Sequence, residues 1–223
     1  EPKIVYVWPY VSQLPTNPDY AWVAYHDIDL SSSAPGDVDA NVYVTRLKRV
    51  SGNQWIIDSA VNRVQVNDGN PSFVVDDFHP RVRVTPGPGN SSDPNQARVH
   101  VAFYSDRSVP VDQLDTTQTI TNPNAQFDAF YTVSFNGGRD FNFFPDTELF
   151  RDPPERGVEH ALMAPGTFSL NDYIGMSIRD PSPGSDGPYE VWISFMGTHQ
   201  PDPMDTDPHK SVIWSARVLW SGP

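Results

Sequence analysis

The chain has 223 residues, 38% hydrophobic and 12% aromatic, with 23 prolines, 14 glycines and no cysteine. Its formal net charge is −13, from 28 acidic and 15 basic residues. This composition can fill a core, disfavours long helices, and excludes disulfides, thiolate catalysis and Cys-ligated zinc. The acid surplus repels a phosphate backbone, so nucleic acid is not an expected partner, and it suits divalent cations. No apolar run approaches the ~20 residues of a membrane-spanning helix, so no membrane insertion is expected. The sequence opens on Glu1-Pro2-Lys3 with no initiator Met or signal peptide, which reads as a processed or excised segment.

In chain order, period-two alternation of β-branched and aromatic residues predicts strands at Ile4–Val11, Tyr20–Asp27, Asn41–Arg49, Trp55–Val64, Arg81–Thr85 and Arg98–Ser105. It continues at Ala129–Phe135, Thr147–Phe150, Tyr173–Ile178, Tyr189–Met196 and Val212–Leu219. Clusters of Pro, Gly, Asn and Asp separate them. Glu155–Ala164 has the best helical pattern, enough for a turn or two.

Three strands share a pattern. AWVAY (21–25), VHVAF (99–103) and VWISF (191–195) align Val23 with Val101 and Ile193, and Tyr25 with Phe103 and Phe195. Each is followed by a long polar loop and then a further strand: NVYVTRL, DAFYTVS and SVIWSAR. An internal repeat of a few strands per unit points to a propeller or similar array. Three generic strands of a sandwich are the alternative.

After the third strand of the middle repeat comes SFNGGRDF, residues 134–141. Asn and Ser can hydrogen-bond the turn backbone, Gly137 and Gly138 can take positive φ, and Phe141 can fold back to anchor the turn. Ser134, Asn136, Gly138 and Phe141 match the S-x-D/N-x-G-x-x-F/W pattern, and the stretch resembles the Asp-box of sialidase-like (BNR-repeat) β-propellers. KRVSGNQW in the first repeat keeps Gly52 and Trp55 but lacks the Ser and Asn. The likeness extends over most of residues 20–220 through DDFHPRVRV, RVHVAFYSDR, NDYIGMSI and YEVWISF.

The resemblance implies an all-β fold: one sialidase-like propeller segment over 1–223, with four-stranded antiparallel blades at about 3–65, 80–150 and 173–219, the last incomplete. Three blades make a partial ring, since closed rings have about 4–8 and the family typically has six. A second copy or another chain is therefore expected to complete it, unless 223 residues form a different closed β fold. The resemblance also implies that the Ser134–Phe141 turn lies on the face away from the ligand. The long connections 26–40, 105–128 and 197–210 would then carry function.

Sialidases require an arginine triad, a Tyr/Glu nucleophile pair and an Asp acid. Arg107, Arg151 and Arg156 are candidates on the long-loop face, with Arg81 at a strand start, but acidic residues surround them and the Arg-Ile-Pro motif of the family is absent. Tyr189 and Glu190 are neighbours whose side chains point to opposite faces of a strand. No catalytic residue is assigned. Arg107, Asp106, Tyr104 and Tyr173 are the ligand-binding candidates, the aromatics by stacking on sugars, with Phe127 beside them. Packing between blades is their alternative role. Trp22, Trp192 and Trp214 are expected to fill the space between blades.

Asp27, Asp29, Asp37 and Asp39 cluster hard oxygen ligands suited to calcium, although none of the loops matches an EF-hand; solvated acidic loops are the alternative. No His spacing suits zinc, and His79 before Pro80 reads as structural. The expectation is a non-catalytic module that recognises glycan or protein on a cell or particle surface, requires no cofactor and accommodates calcium. A fragment of an exo-sialidase-type glycoside hydrolase, with the rest of its active site on missing blades, is the alternative.

Overall fold

The computed structural model describes residues 9–29, 39–67, 77–105, 128–141, 147–150, 174–179, 189–197 and 212–220. Apart from two three-residue 3-10 turns, Ser51–Asn53 and Pro88–Asn90, their regular structure is strand, arranged in three open antiparallel sheets that follow one another along the chain. The first sheet comprises β1 (Tyr10–Leu14), β2 (Asn17–Asp29), β3 (Asp39–Arg49), β4 (Trp55–Ile57) and β5 (Val64–Gln65). The second comprises β6 (Asp77–Thr85), β7 (Arg98–Ser105), β8 (Asp128–Ser134) and β9 (Thr147–Phe150). The third comprises β10 (Gly175–Arg179), β11 (Tyr189–Gly197) and β12 (Val212–Trp220). Each sheet is a meander in which sequential strands pair, β4 and β5 both pairing with β3.

Three expectations shift. The first strand begins at Tyr10, and most of the Ile4–Val11 run lies outside the described residues. The predicted strand Trp55–Val64 is two short strands. Asp58 marks the break: its carboxylate accepts the Ala60 N–H (3.0 Å) and the Arg46 Nε–H (2.8 Å), making a turn over residues 58–61 that stays bonded to Arg46 of β3. The helical candidate at Glu155–Ala164 lies outside the described residues.

Period-two alternation explains how the sheets stack. On β7, Val99, Val101 and Phe103 enter a core shared with Trp22, Ala24, Val42 and Val44 of the first sheet. The intervening Ala102 and Tyr104 enter a second core, with Met176, Val191 and Ile193 of the third sheet. The second sheet is thus covered on both faces, which explains the nearly continuous apolar reading of VHVAFY and AFYTV.

The Ser134–Phe141 turn fastens the first two sheets. Asn136 Oδ1 accepts hydrogen bonds from Ser134 Oγ (2.9 Å), Arg139 N (3.1 Å) and Asp140 N (3.2 Å). Ser134 Oγ accepts from Gly138 N at 3.0 Å. The turn then reaches across the interface. Trp22 Nε1 on β2 donates to the Gly137 carbonyl at 2.9 Å, and Phe141 joins the core between the sheets. Arg46 on β3, only 2% exposed, donates to Pro94 O (3.1 Å) and Asn95 Oδ1 (3.2 Å) in the segment before β7. Both glycines have positive φ, +74° and +86°. A Cβ on Gly137 would lie 2.1 Å from Pro94 O, and one on Gly138 would lie 3.2 Å from the indole nitrogen.

The Trp22→Phe substitution keeps an aromatic ring, removes the donor and some bulk, and strands a buried carbonyl. Urea denaturation should show a loss of about 1–3 kcal/mol. Gly137→Ala, which meets both the positive φ and Pro94, should cost more. An unchanged midpoint in either variant would contradict the clamp.

Candidate functional site

The opposite end of the same interface holds a polar cluster. His26 lies near the end of β2, on the face that carries Trp22 and Ala24, and is 7% exposed. Its ring centroid is 5.9 Å from that of His79, on β6 of the second sheet. His79 has φ +50° and sits directly before Pro80. A residue before proline favours extended backbone, so this conformation is strained. It falls within the register shift between Phe78 and Arg81, a β-bulge that re-aims the side chains after it. Strain of this kind is maintained only where the surrounding structure enforces it, and it clusters at binding sites.

Beyond the bulge, the Arg81 guanidinium lies 4.4 Å from the centroid of the Tyr10 ring on β1. Neither Arg81 Nε nor His26 Nδ1 has a hydrogen-bond partner, although both are buried. Burial lowers the His26 pKa to about 4, the neighbouring His79 adds to the effect, and Asp27 opposes it. At neutral pH the His26 imidazole is therefore uncharged, while the Arg81 guanidinium stands over Tyr10.

A second histidine is wholly internal. His100 Nδ1 lies 2.7 Å from Tyr131 Oη, and its Nε2 lies 3.2 Å from Thr85 Oγ1. Burial, with Arg98 nearby, lowers its pKa to about 3, and burial raises that of Tyr131. This network is part of the core of the second sheet.

The candidate residues fall in several places. Asp106, Arg107, Tyr173 and Asp37 lie outside the described residues, as do Phe127, Arg151 and Arg156. Tyr104 is buried in the core between the second and third sheets, so its ring packs there and offers no exposed stacking face. The backbone register of β2 and β3 pairs Asp29 with Asp39 and Asp27 with Asn41, placing part of the proposed calcium set on alternate rungs with Ile28 and Ala40 between. Asp27 Oδ2, however, accepts from Arg63 Nη2 at 3.1 Å. Among the described residues no group of three or more His, Asp or Glu side chains is arranged to hold a metal ion. No helix among them is long and apolar enough to cross a membrane. Ser134, Asn136, Gly138 and Phe141 form the turn described above.

One expectation is corrected. Trp22 fills the space between sheets, but Trp192 is 43% exposed, because among the described residues no further sheet packs on its face of the third sheet. The side chain of Trp214 lies outside the described residues. Glu190, a weighed nucleophile partner, is ion-paired with Arg217 and lies 3.6 Å from Arg179 on that outward face. The His26–His79 meeting was missed. Its only local signal was the His-Pro dipeptide at a strand entry, since the contact joins separate sheets.

Comparison with known proteins finds no protein-family model and no curated protein that matches the chain.

The two buried histidines set a pH dependence. Both have folded-state pKa values below 6.5, so the folded protein resists protons that the unfolded chain accepts. Their stabilising contribution is complete above pH 6.5 and is lost as pH falls toward about 4 for His26 and about 3 for His100. Unfolding free energies from urea titrations, measured from pH 6.5 down to 4.5, above most carboxylate titration, should fall by about 1.4 kcal/mol per pH unit for each histidine. His26→Gln should remove about half of that slope. A flat profile in the native protein would show that these imidazoles remain accessible to protons.

Proposed function

We propose that this chain is a non-catalytic sialidase-like propeller segment. It recognises a glycan or protein partner on a cell or particle surface, through the edge opposite the Ser134–Phe141 turn, and further sheets complete its ring. One observation carries the reading: the first two sheets are fastened at both ends in the same sense. Trp22, near the start of β2, meets the turn after β8, while His26, near its end, meets the start of β6. The anchor points of the β2–β3 and β7–β8 connections, at Asp29, Asp39, Ser105 and Asp128, therefore share the edge remote from the turn. Long connections on one edge of a rigid scaffold favour recognition.

Arg81 over Tyr10, and the neutral His26 near His79, lie toward that edge and are the polar groups proposed to meet a hydroxyl- or carboxylate-bearing ligand. The ion pairing of Glu190 on a different face favours binding over catalysis. Calcium held near Asp27, Asp29, Asp37 and Asp39 is an optional part of the reading.

A glycan array with and without calcium, together with a fluorogenic sialoside assay, tests it. Binding without turnover is expected, and Arg81→Met should weaken that binding at least tenfold with little change in thermal midpoint. Sialoside hydrolysis that disappears in Arg107→Ala would overturn the reading in favour of a glycosidase.

A further inference from the structure

The same cross-strand pair occurs at matching rungs of the first and third sheets. In the first, Trp22 on β2 stands opposite Arg46 on β3. In the third, Trp192 on β11 stands opposite Arg217 on β12. Trp22 and Trp192 hold the same position in the repeated strand pattern, AWVAY and VWISF. The guanidinium carbons lie 5.8 Å and 5.6 Å from their indole rings. Both pairs also face forward along the stack. Trp22 points at the sheet that follows it, whereas Trp192 lies opposite the Met176, Val191 and Ile193 face that packs back on the second sheet.

Their surroundings differ. Trp22 and Arg46 clamp the glycine turn and the segment before β7 of the next sheet. Trp192 and Arg217 are 43% and 50% exposed, with the guanidinium held by Glu190. The third sheet therefore carries an assembled, open copy of the clamp that joins the first two.

The other end of the stack carries what such a clamp grips. The β3–β4 turn of the first sheet occupies the place that the Ser134–Phe141 turn occupies in the second. It holds Gly52 at φ +78°, and a Cβ there would meet nothing within 4 Å, in contrast to Gly137 and Gly138. Trp55, three residues after Gly52 as Phe141 is three residues after Gly138, is 39% exposed. The exposed large hydrophobic side chains among the described residues all belong to these two end sheets: Val11, Trp55, Ile56 and Ile57 on the first, Trp192 and Leu219 on the third. None belongs to the second sheet, which is covered on both faces.

We propose that a second copy of this chain docks its first sheet on the third sheet, with its Gly52 turn on Trp192 and Arg217. The contact repeats the internal one between the first and second sheets. A surface that meets a different surface of its own copy closes when two such contacts are related by a two-fold axis. The inference rests on the reading above, in that the sheets continue one array and a second copy supplies the next.

Light scattering tests it on the full chain. The protein should run at twice its 24.9 kDa chain mass. Trp192→Ala and Trp55→Ala, both at exposed positions, should each run as single chains with unchanged far-ultraviolet circular dichroism. An equimolar mixture of the two should recover two-chain species, because one intact clamp then meets one intact turn. A native protein at single-chain mass, a variant that stays paired, or a mixture that fails to recover would each overturn the proposal. If the native protein is single-chain but still binds glycan, second-copy docking fails and the recognition reading survives. Loss of glycan binding in a paired protein does the reverse.

Discussion

The arrangement depends on one hydrogen bond between sheets, from the Trp22 indole to the Gly137 carbonyl. Two glycines make room for it: a Cβ at 137 would collide with the Pro94 carbonyl, and one at 138 would crowd the indole. Positive φ at both glycines aims the carbonyl outward, and Ser134 and Asn136 hold that geometry by saturating the turn's own donors. Arg46 then spans the seam, tied to Asp58 on its own sheet and to Pro94 and Asn95 on the next. A charge this deeply buried is tolerable because its fork of donors has partners on both sides.

The far end of the seam contrasts with this one. There the polar groups are His26, His79 and Arg81, and two of their nitrogens lack hydrogen-bond partners. Leaving buried donors and acceptors unsatisfied costs stability, so the two ends of one interface have different roles. The turn end supplies cohesion. The histidine end leaves those two nitrogens unsatisfied, at the edge where the long connections are anchored and beside the left-handed His79.

Local chemistry was the legible part of this sequence. Strands such as Arg98–Ser105 and Thr147–Phe150 followed directly from alternation, and the SFNGGRDF turn from side chains that bond their own backbone. Features that depend on what lies across a sheet face were not legible. Trp22 and Trp192 read alike in sequence, yet one is buried and the other open, because only position in the stack separates them. The His26–His79 contact joins strands with no shared motif. The break at Asp58 was hidden in an otherwise strand-like run, since a single Asx turn suffices to interrupt it. Of the candidate ligand-binding residues, Tyr104 alone lies among the described residues, and it went to the core.

That break has a consequence for how the protein avoids misassembly. An uninterrupted outer strand would offer a ladder of free amides and carbonyls to any passing extended chain. Here the outer edge of the first sheet is divided into a three-residue and a two-residue piece, β4 and β5, with Asp58 folding the intervening chain onto Arg46. Neither piece is long enough to template cross-β growth. At this edge of the first sheet, contact is thereby steered to side-chain surfaces, where shape and charge can discriminate, and away from backbone pairing, which is indifferent to sequence.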